Sequence, residues 1–257
     1  MPAVVARAAR ARIVLLGEDH EVRDDHRWQT DVVAAIAGRV ATVTVGFEMF
    51  PRRVQPALDR WTAGALDEER FLAESDWKRV WGADPTLYWP LFHAARLHRM
   101  PMVALNVDRA LVRRVAAEGW AALPDDAREG VSAPAPPSPT YRERLASAWR
   151  AHAAARTDDP AAFERFVEAQ LVWDRAMAEA IRTALAARPR GIVVGVMGRG
   201  HVEHGDGVPA QLAALGAPRP VVLVPWAAER PCEELVSGLA DAVFGIEDLE
   251  SAPAAAS

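Results

Sequence analysis

Five short apolar runs, each stopping at a polar or turn residue, constrain the fold of this chain more than any other feature. They are "RIVLLG" ending at Gly17, "VTVGFE" ending at Glu48, "PMVALN" ending at Asn106, "GIVVGVMG" ending at Gly198 and "PVVLVP" ending at Pro225. They are rich in β-branched and other apolar residues, and they are continuous rather than alternating. A continuous run is buried on both faces, which a parallel sheet covered by helices provides. The stretches between them have helical spacing. "DDHRWQTDVVAAIAGR" places Trp28, Val32, Val33 and Ile36 on one stripe, and "TLYWPLFHAARLHR" and "RALVRRVAAEGW" flank the third run. From about Pro124 to Arg188 there is no strand signal. That segment opens with "VSAPAPPSPTYRER" and continues as an amphipathic helix after an Asp-Asp-Pro start. The expected fold is therefore α/β: a mainly parallel β-sheet core flanked by helices, with a helical insertion at about 124–188 between the third and fourth core strands. The whole of 1–257 reads as one domain, with a disordered tail expected at about 248–257.

Composition narrows the function. A net charge of −5 offers no basic face for nucleic acid. A single cysteine, Cys232, rules out an intrachain disulfide and fits a reducing compartment. No apolar run approaches the ~20 residues that span a bilayer, and "MPAVVARAARA" lacks the apolar centre of a signal peptide. The expectation is a cytoplasmic protein with no integral membrane segment.

In an open parallel sheet the ligand site lies beyond the carboxyl ends of the strands. The first run delivers Glu18, Asp19 and His20 there, the second Glu48, the third Asn106 and Asp108. The fourth delivers "GRGHVEHGDG", with Arg199, His201, Glu203, His204 and Asp206. Any one of these alone is better read as a helix cap or solvated loop. Four strand ends together point to a shared polar site. Glu48, flanked by Phe47, Met49 and Phe50, needs a partner, a metal or a proton. An internal pair to Arg199 is the structural alternative to a functional role. His20 and His201 close two Gly-x-x-His motifs, "GEDH" and "GRGH". His26 either projects back to the site or lies on the helix surface, while His93, His98 and His152 read as structural or exposed.

These residues resemble a known family. "LLGEDHEVRDDHRWQ", "FEMF", the pattern of Trp77, Trp81 and Tyr88–Pro90, "MPMVALNVDR", "QLVWDRAMAEAI" and "GRGHVEHGDGVP" are similar to the ChaN family of haem-binding, iron-regulated proteins, from about residue 12 to 226. The wider superfamily includes erythromycin esterases and the TraB/Tiki metal-dependent peptidases. It shares paired Gly-x-x-His motifs and an acidic residue after a strand, here Gly17–His20, Gly198–His201 and Glu48. The resemblance implies haem binding, with a homodimer among the arrangements it allows, tyrosine as iron ligand and histidine nearby. Of Tyr88 and Tyr141, Tyr88 lies in a family motif and is the better candidate ligand. A packed core aromatic is the even alternative.

Two functions follow. In the first, haem is held by Tyr88, His20, His201 and His26, with Arg23, Arg27 or Arg52 facing its propionates. In the second, a hydrolase, His20, Glu48 and His201 bind a divalent transition metal, with Glu18 or Glu203 as general base. A metal-free variant of that hydrolase has His20 activating water while Arg199 and His201 stabilise the oxyanion. No Gly-x-Ser-x-Gly elbow, His-Glu-x-x-His helix or glycine-rich dinucleotide turn is present.

Overall fold

The computed structural model describes residues 2–151 and 160–246. Six parallel strands form one sheet in the order β3-β2-β4-β1-β5-β6. They are β1 (Ile13–Glu18), β2 (Val43–Pro51), β3 (Met102–Asn106), β4 (Ile192–Gly198), β5 (Val221–Ala227) and β6 (Ala242–Ile246). Every residue of β1, β2 and β4 is buried, as continuous apolar runs require. The sixth strand, "AVFGI", is half-buried at the sheet edge and carries a weaker apolar signal than the others. The expected tail and His152 lie outside the described residues.

Helices cover both faces. One face carries α1 (Pro2–Ala8), α2 (Arg23–Ala37), α3 (Gln55–Thr62), α4 (Glu68–Glu74), α5 (Trp77–Val80) and α6 (Trp89–Leu97), packed on Val14, Leu16, Val45, Phe47 and Val196. Trp28, Val32, Val33 and Ile36 of α2 face this core, as their spacing predicts. The third-to-fourth strand connection contains α7 (Arg109–Glu118), α8 (Pro139–Ala151) and α9 (Pro160–Ala187). With α10 (Val208–Ala214), α9 packs on the opposite face, against Ile13, Leu15, Val193 and Met197.

Right-handed crossovers explain this division. The chain leaves β1 and β2 toward β3, and returns from β3 to β4 in the other direction, so the two sets of helices fall on opposite faces. At the carboxyl edge, β4 lies between β1 and β2, and its exit turns away from theirs. That is a topological switch point, where open α/β sheets form a crevice.

Side-chain alternation decides what enters the crevice. Glu18 shares parity with Val14 and Leu16 and points into the α2/α6 layer. Glu48 shares parity with Gly46, whose open face abuts Leu105 of the other core, and points into the α9 layer. Helix α9 runs back along β4. About 13 of its residues cover the ~20 Å of a seven-residue strand, so the segment near Asp174 stands level with the strand ends.

Candidate functional site

Two histidine–carboxylate pairs flank the crevice, one in each layer. In the first, buried Glu18 ends β1, and its Oε1 lies 2.9 Å from His20 Nδ1 and accepts the Tyr88 hydroxyl at 3.1 Å. Its other oxygen lies 3.3 Å from Nδ1 of buried His26, whose Nε2 reaches the His20 carbonyl at 3.0 Å. The Trp81 indole N–H donates to Tyr88 Oη, and the Trp81 ring meets His20 edge-on at 4.7 Å. Tyr88 thus belongs to the core, while His20 keeps 40% of its side chain exposed.

In the second, His201 Nδ1 lies 2.6 Å from Asp174 Oδ1, and Asp174 Oδ2 accepts the Tyr141 hydroxyl at 2.8 Å. His201 Nε2 lies 3.5 Å from Glu48 Oε1. The other oxygen of Glu48 accepts the Gly198 N–H at 2.7 Å. Gly198 is the floor between the two pairs. A Cβ built there would stand 2.8 Å from His20 Cε1 and 3.6 Å from Glu48 Oε2, so only glycine lets these side chains close over the strand end.

The electrostatics follow from burial and pairing. Burial pushes Glu18 upward, but the hydrogen bonds and charges of His20 and His26 outweigh it and hold Glu18 at about 2. Burial likewise opposes charge on His20, His26 and His201, and facing carboxylates reverse it. Glu18 raises His20 and His26, while Glu48 and Asp174 lift His201 well above its ordinary value. Despite its own burial, Glu48 is lowered by His201, His20 and the Gly198 N–H. Burial and the nearby Glu18 charge push the Tyr88 phenol far up.

The cleft over these groups has a volume of about 510 Å³ and is lined by His20, Glu48, Trp81, Arg109, Trp173 and His201. A smaller cavity of about 170 Å³ shares Glu48, Trp81, Arg109 and Trp173 and continues toward the start of α7.

The structure therefore brings together Glu18, His20, His26, Glu48, His201 and Tyr88. It places several other candidates elsewhere. Arg199 is held by Glu203 at 2.6 Å and Asp19 at 3.3 Å and lies over the Trp226 ring, so it lines neither cavity and His201, not Arg199, pairs with Glu48. Glu203 is engaged by the same bond. Arg27 pairs with Asp24, and Arg52 reaches Glu179 and the Ala176 carbonyl beside a separate groove. His204, in a left-handed conformation, lines a different cavity from His201. Both tyrosine hydroxyls are buried and donated to carboxylates, which favours the packed-aromatic alternative for Tyr88 over an open iron ligand. His20, Glu48 and His201 are neighbours, but among the described residues no three His, Cys, Asp or Glu side chains converge as a set able to hold one metal ion. Sequence reasoning missed Asp174, Trp173 and Arg109, and it weighed Tyr141 only as an iron ligand, not as the hydroxyl that holds Asp174. A buried acid inside the apolar "QLVWDRAM" was the available signal for Asp174.

A doubly covered parallel sheet with a carboxylate–imidazole crevice at its switch point defines a class of α/β ligand-site proteins, and sequence comparison assigns this one within it. The profile described as haem-binding uptake, Tiki superfamily, ChaN matches residues 4–212, so the chain belongs to that family. No curated protein sequence matches the chain. Among solved structures it is similar to ChaN of Campylobacter jejuni, described for cofacial haem binding, at 16% identity and a TM-score of 0.70, covering 94% of this chain and 89% of that one. It is also similar to the type III effector HopBA1, with 15% identity, TM-score 0.51 and 95% and 92% coverage. A mutant erythromycin esterase in its open conformation matches with 16% identity, TM-score 0.51 and 88% and 72% coverage. At such identities these likenesses establish the fold alone. Among the described residues, no helix is long and apolar enough to cross a membrane.

Proposed function

We propose that the chain binds haem in this cleft, with His20 as the residue that would hold its iron. The observation that carries the reading is the half-exposed His20 imidazole, whose Nδ1 is fixed by buried Glu18. Ligating histidines characteristically give their second nitrogen to a carboxylate, which sets the tautomer and ring orientation. His20 alone among the clustered imidazoles combines that support with ready access, since His26 is fully buried and His201 has 12% of its side chain exposed. Trp81, Trp173 and Ala83 supply apolar wall, and Arg109 supplies a cation at the rim. These residues fit a haem: an imidazole donor, flat aromatic surfaces and a positive edge. When bound, haem supplies an iron centre for ligand binding or electron transfer. The protein's own residues orient His20 through Glu18 and hold Glu48 charged beside it. Family membership and the cofacial haem binding of the Campylobacter relative support the same reading.

Titration with haemin tests it. A saturable Soret shift that is lost in His20→Ala and kept in Tyr88→Phe is the expected result. Absence of saturable binding to the wild-type protein overturns it.

A second reading, a hydrolase, is favoured by one observation: Glu48 lies buried between two imidazoles with an oxygen 3.5 Å from His201 Nε2. Such a group can orient or deprotonate a water. Hydrolysis of a p-nitrophenyl ester that disappears in a folded Glu48→Gln variant supports it, and wild-type protein without such activity argues against it.

A further inference from the structure

The smaller cavity beside the cleft is lined by three arginines in addition to the Arg109 that rims the haem cleft. Arg53, Arg79, Arg109 and Arg113 all line it. The acids nearby are already engaged. Asp108 takes the Arg53 guanidinium at 2.9 and 3.0 Å, and Asp76 takes Arg53 at 3.2 Å and also Arg79. Glu129 accepts the Asp108 N–H at 3.1 Å. Glu48, on the cavity wall, faces His201. Asp76 and Asp108 are thus taken by Arg53 and Arg79, whereas Arg109 and Arg113 have no carboxylate partner among the described residues.

Arg109 is nevertheless held in place. Its guanidinium lies 5.5 Å from the centre of the Trp81 ring, and Trp81 is itself fixed by its bond to Tyr88. Arg109 and Ala110 open the first turn of the ten-residue α7, where the helix dipole adds positive potential. The Asp108 side chain makes no capping bond to that turn, because it is turned to Arg53. An unpaired, oriented guanidinium at a helix start, above a cavity that opens into a ligand cleft, is a site for an oxyanion.

We propose that this cavity is an anion subsite. Arg109 and Arg113 hold the carboxylate or phosphate group of a ligand whose body occupies the cleft between Trp81 and Trp173. The inference rests on the cleft being the ligand site, and where that ligand is haem the held group is a propionate. Of the arginines anticipated for this task, Arg27 and Arg52 are engaged elsewhere and Arg23 lines neither cavity, whereas Arg109 stands on the wall of both.

The full chain is titrated with three probes: haemin, haemin dimethyl ester, whose carboxylates are masked, and orthophosphate followed by calorimetry. Wild type is compared with the Arg109→Gln/Arg113→Gln variant, both positions being exposed. The expected result is a loss of haemin affinity of about tenfold or more in the variant, the scale of losing a charged hydrogen bond. The ester should bind both proteins equally, and phosphate should bind only wild type. Haemin and phosphate binding unchanged in the variant overturns the subsite while leaving the haem reading intact. Arginine-dependent phosphate binding without haemin binding keeps the subsite and overturns the haem reading. Binding of neither probe by wild type overturns both.

Discussion

Replacing Gly198 by alanine is the most direct test of how the crevice is assembled. The added Cβ would lie 2.8 Å from His20 Cε1 and 3.1 Å from Nε2. Carbon atoms in contact prefer about 3.5–4.0 Å, so the imidazole must retreat by roughly 0.7 Å or more. The backbone of Gly198 is fixed by its register opposite Glu18 and by its bond to Glu48, which leaves His20 as the group that moves. A retreat of that size lengthens the 2.9 Å His20–Glu18 contact beyond hydrogen-bonding range. Loss of a charge-assisted bond costs about 1.5–3 kcal/mol, with the lower end expected because His20 is 40% exposed. The assay is urea denaturation at pH 6 with haemin titration of the same samples. The expected outcome is destabilisation of about 1–2 kcal/mol and a weaker Soret shift. A double-mutant cycle isolates the cause: in a His20→Ala background the same glycine replacement should cost little. If Gly198→Ala costs as much without the imidazole as with it, the packing of His20 over the β4 terminus is not what the glycine serves.

Other consequences follow from the same network. Tyr88→Phe should retain haemin binding and lose about 1–2 kcal/mol of stability, because the hydroxyl it removes is buried between Trp81 and Glu18. Loss of the Soret shift in that variant would restore the phenolate as ligand. Asp174→Asn should lower the His201 pKa, since burial opposes the charged ring and Glu48 and Asp174 sustain it. Histidine NMR titration reads this directly, and an unchanged value contradicts it. Stability should also depend on pH from both sides. Glu18, depressed from 4.5 to about 2, contributes fully above 4.5, and its contribution is lost as pH falls toward 2. His201 and His26 are raised, so their contribution is complete below 6.5 and is lost as pH climbs through their elevated values. Asp25 is raised by burial from 3.8 to about 6, so it favours the fold below 3.8 and that stability is lost as pH rises through 6. Urea midpoints should therefore fall on alkalinisation, and Asp25→Asn should gain on wild type between pH 4 and 7; parallel profiles for the two proteins would count against the assignment.

Much of this architecture is legible in the chain itself. Five continuous apolar runs alternating with helical segments point to burial on both faces, which a helix-covered parallel sheet supplies. The polar residues that end those runs then have to collect at one edge, which is why the sequence alone groups Glu18, His20, Glu48 and His201. Sequence could not divide them between layers. That depends on the parity of each side chain within its strand and on β4 inserting between β1 and β2, a non-local pairing that no short window contains. The same limit hid Asp174, which reaches His201 from the long third-to-fourth strand connection and is itself held by Tyr141. Arg199 and Arg109 show the point most clearly: each arginine follows a strand end, yet tertiary packing gives the first to Asp19 and Glu203 and leaves the second unpaired over the cavity. Composition fixes which charges a chain carries, but only the folded surface decides which of them remain without a partner.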